Sequence, residues 1–292
     1  MGDARRTRVR LPPPPPINRG FRKVSPFFMD FMSIKIIIMN MRIIYSFNTG
    51  IEEDYFKGDN LENNFKFYEL SIRLARQYYP VTLYTDEYGA SRLGHLVDEV
   101  KFLEKDPSNY IWSEPKFEAI SRETGDFLHL DGDLFIVKPF NKPDADLYFD
   151  HVEHGLYEAY YKDNLENFDK YGIKERFPEW SKEYTGAFNI GIMGFRNDEI
   201  KNIYLDRYYS MKEWFFNDYP LRDETVLASM TIGEHGLSCL ANTYGWESVP
   251  LIEYNQYLHM YSGRKHLKGF VKMVESQLKE EYKTYIENGY NY

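Results

Sequence analysis

Residues 41–85 place the strongest constraint on the fold. Met41–Phe47 (MRIIYSF) is a β-branched and aromatic run that ends at the turn-like Asn48-Thr49-Gly50. Residues 61–79 then set Leu61, Phe65, Tyr68, Ile72 and Ala75 at spacings of three and four, the pattern of a helix with one apolar face. Pro80 stops that helix, and Val81–Thr85 forms a second apolar run before Asp86-Glu87-Tyr88-Gly89. Two strands joined through a helix lie parallel, and a parallel pair needs cover on both faces. The expected fold class is therefore α/β, with a mixed, mainly parallel central sheet flanked by helices.

Later segments extend the pattern. A helix is expected around Phe117–Ser121, a strand over 127–130 with an apolar continuation over 134–137, another strand over 144–149, and helical or irregular sequence over 155–185. A glycine-punctuated strand is expected over 187–195 (AFNIGIMGF), and helices over 200–216 and 225–230. Segments over 237–242 and 249–252, a polar-aromatic segment over 257–269 and a helix over 275–292 that fades into a Gly/Asn/Tyr tail complete the chain. Residues 1–40 read as an appendage: basic sequence runs into Pro12–Pro16, which favours polyproline II and excludes a helix. The expected division is an appendage over 1–40, a main domain over 41–275 and a tail over 276–292.

Charge narrows the function. The first 23 residues carry seven Lys or Arg against one Asp, which leaves 29 basic and 44 acidic groups on the remainder, a net charge of −15. Such a body repels nucleic acid. It suits an anionic ligand held through a cation. The single cysteine, Cys239, excludes a disulfide framework and a thiolate metal cluster within one chain, and reads as a small buried hydrophobe. The apolar stretch over 27–47 is broken by Asp30, Lys35, Asn40 and Arg42, too often for a membrane span. Cytoplasmic placement is expected, and the basic N-terminal segment leaves peripheral attachment to an anionic membrane open.

The sharpest chemical signal is Asp131-Gly132-Asp133, between the apolar runs FLHL and LFIV. Carboxylates two apart in extended chain point the same way, and the glycine lets a ligand approach the backbone. Hard oxygens suit Mg²⁺ or Mn²⁺, and a cation there could bridge a diphosphate. Asp-Gly-Asp is also ordinary turn composition, and Asp-x-Asp also serves metal-dependent phosphotransferases and phosphatases. His129 reads as a packed core residue, and His151 and His154 as surface histidines. Tyr160, Tyr161, Tyr208 and Tyr209 suit either a sugar-stacking groove or helix packing. No P-loop and no strand-led G-x-G-x-x-G occurs.

DFLHLDGDLFIVKPF resembles the Asp-x-Asp motif of nucleotide-diphospho-sugar glycosyltransferases with the GT-A fold. His266-Leu267-Lys268-Gly269-Phe270-Val271-Lys272 is similar to the late H-x-x-G-x-x-K motif of the glycogenin and lipopolysaccharide galactosyltransferase family (glycosyltransferase family 8), without the Pro-Trp that commonly follows it. The resemblance implies that Asp131, Asp133 and His266 hold Mn²⁺ or Mg²⁺. It places the donor ribose on Asp131 and the diphosphate on Gly269 and Lys272. Thr185–Gly191 resembles the family's Asn-x-Gly segment, which would put Asn189 and Gly191 beside the sugar. Asp223 and Glu224 sit where relatives carry an acidic residue facing sugar or acceptor. Tyr45 and Phe47, Thr85 and Asp86 end strands that cradle the nucleotide in such folds, and Lys116 matches a donor-side helix position. The implied activity is transfer of a hexose from a nucleotide diphosphate sugar, UDP-linked, to a glycan or glycolipid hydroxyl in a retaining reaction. A non-catalytic nucleotide-sugar or glycan-binding module is the alternative on the same fold.

Overall fold

The computed structural model describes residues 41–51, 59–104, 111–153, 156–183, 186–220, 225–253, 257–260, 269 and 271–277. Its centre is a seven-stranded sheet. The strands are β1 (Arg42–Phe47), β2 (Val81–Thr85), β3 (Glu99–Phe102), β4 (Phe127–Leu130), β6 (Leu147–Phe149), β9 (Ile192–Phe195) and β10 (Ser248–Pro250), in the spatial order β10-β6-β9-β4-β1-β2-β3. Neighbours are parallel except β9, which runs antiparallel to both β4 and β6. The expected mixed, mainly parallel sheet is present, and Val81–Thr85 and Phe127–Leu130 form over the expected residues.

Side-chain alternation explains how the sheet is covered. From β1, Ile43, Tyr45 and Phe47 enter one core with Phe65, Ile72 and Ala75 of the helix Asp59–Arg76. Ile44 enters the other core, with Phe117 of the helix Glu114–Arg122 and Tyr204 of the helix Asp198–Asn217. β1, in the middle of the sheet, is therefore buried on both sides, as a parallel sheet requires of its inner strands. Two expectations are corrected by pairing. The apolar segment after Asp133 does not continue β4: β5 (Leu134–Ile136) leaves the sheet to pair antiparallel with β11 (Tyr257–His259). The expected strand over 187–195 is two strands. β8 (Ala187–Phe188) pairs with β7 (Val152–Glu153), and Asn189-Ile190-Gly191 separate it from β9.

Because β9 is reversed, its N-terminal end shares one edge with the carboxyl ends of β1, β2, β4 and β6. Asp86, Asp131, Asp150 and Gly191 all sit there, where open α/β sheets bind ligands. Among the described residues no helix is long and apolar enough to cross a membrane. The expected appendage over 1–40 lies outside the described residues.

Candidate functional site

β4 delivers Asp131 to the edge, where its amide donates to Gly191 O at 2.9 Å. The chain turns at once, with Leu134 N on Asp131 O at 3.1 Å, and enters β5. Gly132 lets the Tyr68 ring close against this turn: a Cβ there would lie 2.3 Å from that ring, whose hydroxyl donates to Ser46 O at 2.8 Å. The β5–β11 register sets His259 opposite Leu134, and Met260 N donates to Asp133 O at 3.0 Å. The ligand atoms of Asp131, Asp133 and His259 consequently lie within 4.8 Å of one another.

Two carboxylates and one imidazole are a donor set suited to Mn²⁺ or a similar cation. Asp131 keeps 27% of its side chain exposed, whereas Asp133 and His259 are nearly closed off, at 10% and 7%. His259 Nε2 stands 3.5 Å from Asp133 Oδ1, and its Nδ1 hydrogen-bonds Asp150 Oδ2. Burial disfavours the charged imidazolium, but Asp133 and Asp150 on its two sides outweigh burial and raise its pKa to about 10. Asp150 is held well below the usual carboxylate range: burial pushes its pKa up, and His151 and His259 more than reverse this. Asp131 is shifted upward by loss of solvent, with Lys116 opposing.

Lys116, expected on the donor side, is buried on the helix Glu114–Arg122. Its ammonium bonds Asp131 Oδ1 and Ile190 O, each at 2.8 Å. Asn189 uses its side chain within the fold: Nδ2 donates to Glu153 Oε1 at 2.8 Å, and Oδ1 accepts from Gly191 N at 2.9 Å. Gly191 does clear space, but for protein: a Cβ there would meet His259 Cε1 at 2.3 Å.

The strand-end expectations need correction. The rings of Tyr45 and Phe47 are buried in the core, with Tyr45 on Ser71 Oγ at 2.8 Å. Exposing Phe47 to stack on a base would forfeit about 2 kcal/mol of burial, so these rings serve packing. Thr85 is buried too. Asp86 caps the helix Glu87–Leu93 through Gly89 N at 2.7 Å, and accepts from Thr49 N at 2.6 Å and Thr49 Oγ1 at 2.8 Å. It thereby ties the ends of β1 and β2 together. His129 is a core residue as expected, 2.9 Å from Ser46 Oγ, with burial holding its pKa well below the usual value. Cys239 is buried, and burial raises its thiol pKa to about 11.

Asp223, Glu224, His266 and His154 lie outside the described residues. Lys272 is exposed on a helical stretch over 271–277, and Gly269 faces open space. Among the described residues, the imidazole beside the two carboxylates is that of His259, which the sequence reading missed, as it missed Asp150. A signal for Asp150 was present: it follows the apolar run Leu147-Tyr148-Phe149 just as Asp131 follows FLHL.

Beneath the site, the hydroxyl of Tyr161 bridges two buried carboxyls. It lies 3.1 Å from Glu153 Oε2 and hydrogen-bonds Glu234 Oε2. Glu234 sits on a wide π-helical turn, Thr231–His235. One phenol proton cannot serve two carboxylates, and burial together with Glu153 raises the Glu234 pKa to about 8. Tyr161 and Tyr208 thus belong to buried packing, not to a surface groove.

No curated protein matches the chain. Among solved structures it is similar to the PaToxG glycosyltransferase, at 13% identity and a TM-score of 0.39, over 84% of this chain and 92% of that chain. A likeness at that level carries no argument about activity. The model of a family of unknown function, DUF6734, matches residues 41–214. That span covers more than half of the chain and includes β4, the two motif aspartates, Asp150 and Gly191, so the chain belongs to this family.

Proposed function

We propose that this protein is a metal-dependent glycosyltransferase of the GT-A type. It would move a hexose from a nucleotide diphosphate sugar, UDP-linked, to a glycan or glycolipid hydroxyl. One observation carries the reading: Asp131, Asp133 and His259 converge within 4.8 Å at the carboxyl edge of a mainly parallel sheet. A surface turn of Asp-Gly-Asp composition would have no reason to receive a nearly buried imidazole from a strand more than a hundred residues later.

Asp131, Asp133 and His259 would hold Mn²⁺ or Mg²⁺. When bound, the cation supplies positive charge against the donor diphosphate and the leaving group. The protein's own residues prepare the place. Lys116 holds Asp131 in position from below, Gly132 and Gly191 let Tyr68 and His259 close in, and Asp150 grips the far side of the imidazole. Asp131, the most exposed of the three, is the group that can reach a donor ribose. Membership of the glycogenin-like family would make the reaction retaining, with no side-chain base required.

The experiment is a donor-hydrolysis panel with Mn²⁺: UDP-glucose, UDP-galactose, their N-acetyl forms and GDP-mannose, with and without glycan acceptors. The expected result is release of nucleoside diphosphate from at least one donor, abolished by chelator and by Asp133→Ala. Release from none of them would overturn the reading. Donor binding without turnover would mark a binding module, and inorganic phosphate from monoesters a phosphatase.

A further inference from the structure

His259 takes part in two clusters. Asp150, His151 and His259 bring ligand atoms as close together as Asp131, Asp133 and His259 do, and His151 Nδ1 lies 3.0 Å from Asp150 Oδ2. An imidazole offers one nitrogen on each side, so one of the two aspartate groups meets a cation and the other meets the ring's N–H.

We propose that Asp150 is a positioning residue: its carboxylate takes the Nδ1–H of His259, fixes that tautomer and turns Nε2 toward Asp131 and Asp133. This inference rests on the cation reading of that site. Three observations carry it. The Asp150 side chain has no exposed surface, whereas Asp131 keeps 27% of its own. Both Asp150 oxygens are engaged from β11, Oδ1 by the hydroxyl of Tyr257 and Oδ2 by His259. Tyr257 and His259 are two apart on one strand and so share a face, which makes Asp150 a clamp on the strand as well as on the ring. The backbone of Asp150 is held as firmly, with its amide on Asn189 O at 3.0 Å and its carbonyl accepting from Ile252 N at 3.1 Å. A carboxylate behind a ligating imidazole orients the ring and raises its basicity, and losing it typically weakens metal affinity about 10–100-fold.

The test is Mn²⁺ titration of the full chain, followed by electron spin echo spectroscopy of the bound ion, which reads a coordinated imidazole nitrogen directly. Wild type, Asp150→Asn, His151→Gln, Asp133→Asn and His259→Gln are compared. Asp150→Asn keeps the size and a hydrogen-bond acceptor, so the fold is retained. Its affinity is expected to fall about tenfold or more, with weakened nitrogen modulation. His151→Gln should leave both readouts as in wild type, and His259→Gln should abolish the modulation. Asp150→Asn binding within about twofold of wild type with full modulation would overturn the positioning role alone. A loss in His151→Gln equal to that in Asp150→Asn would also overturn it, by making Asp150 and His151 the ligands. Absence of Mn²⁺ binding by wild type, or undiminished binding by Asp133→Asn, would instead sink the cation reading beneath it.

Discussion

Lys116 and Asp131 meet at 2.8 Å, the ammonium of one helix holding the first carboxylate of the Asp-Gly-Asp turn while also bonding the carbonyl of Ile190. The same cation therefore ties the two segments that border the site, the end of β4 and the turn before β9. Truncating it leaves a half-buried carboxylate and a buried carbonyl short of a donor. Lys116→Met is expected to lower stability by roughly 1–3 kcal/mol, read by urea denaturation. It should also weaken Mn²⁺ binding, because Asp131 would be pushed further toward its protonated form. Unchanged stability and affinity would show that the contact does not position Asp131.

Gly191 faces the edge of the His259 ring. A methyl group there must displace the imidazole or the Asn189 amide, whose Oδ1 would lie 3.0 Å away. Gly191→Ala is expected to cost about 1–3 kcal/mol of stability by overpacking. Its effect on Mn²⁺ affinity should exceed that of a substitution of equal stability cost in the distant core, such as Ile200→Val. Thermal melts and metal titration on the same samples separate the two effects.

Gly132 and Tyr68 form a second close pair, with the ring 2.3 Å from the site of a Cβ. Gly132→Ala alone is expected to destabilise by about 1–3 kcal/mol, and Tyr68→Ala alone by about 3 kcal/mol or more through lost packing. Combined, they should cost less than their sum by about 1 kcal/mol or more, because the small residue relieves the clash. A double-mutant cycle in urea reads this coupling, and strict additivity would contradict it.

Glu234 gives a pH signature. Its folded pKa lies near 8, above the ordinary glutamate value of 4.5 that holds in the unfolded chain. The folded state therefore keeps a proton that the unfolded state has released between those two values. That contribution is complete below pH 4.5 and is lost as pH rises toward 8, by an amount on the order of a few kcal/mol. Glu234→Gln mimics the protonated acid and should gain stability relative to wild type across this window. Urea denaturation of both proteins from pH 4.5 to 8.5 checks it, and a constant difference would refute the assignment.

Much of the fold was legible because its signals are local. The strand Met41–Phe47, the helix near 61–79 and the strand Val81–Thr85 announce themselves by period and by Pro80, and parallel pairing follows from the helical connection. Two carboxylates in tandem after an apolar run were legible for the same reason. The glycine-rich stretch over 187–195 was not: its pattern reads as one glycine-punctuated strand, whereas Gly191 lies in the bend before β9, against the His259 ring.

By itself the sequence determined an α/β chain with a mainly parallel sheet and a pair of aspartates at a strand end. Tertiary structure alone decided that, among the described residues, the His259 imidazole meets them. β11 is three residues long and carries no strong period, and only its antiparallel register with β5 sets His259 opposite Leu134. The same packing turned Asp150 toward Nδ1 and sank the rings of Tyr45 and Phe47 into the core. Periodicity is written in neighbours along the chain, whereas a site of this kind is assembled by hydrogen bonds between residues such as Asp150 and His259, 109 positions apart.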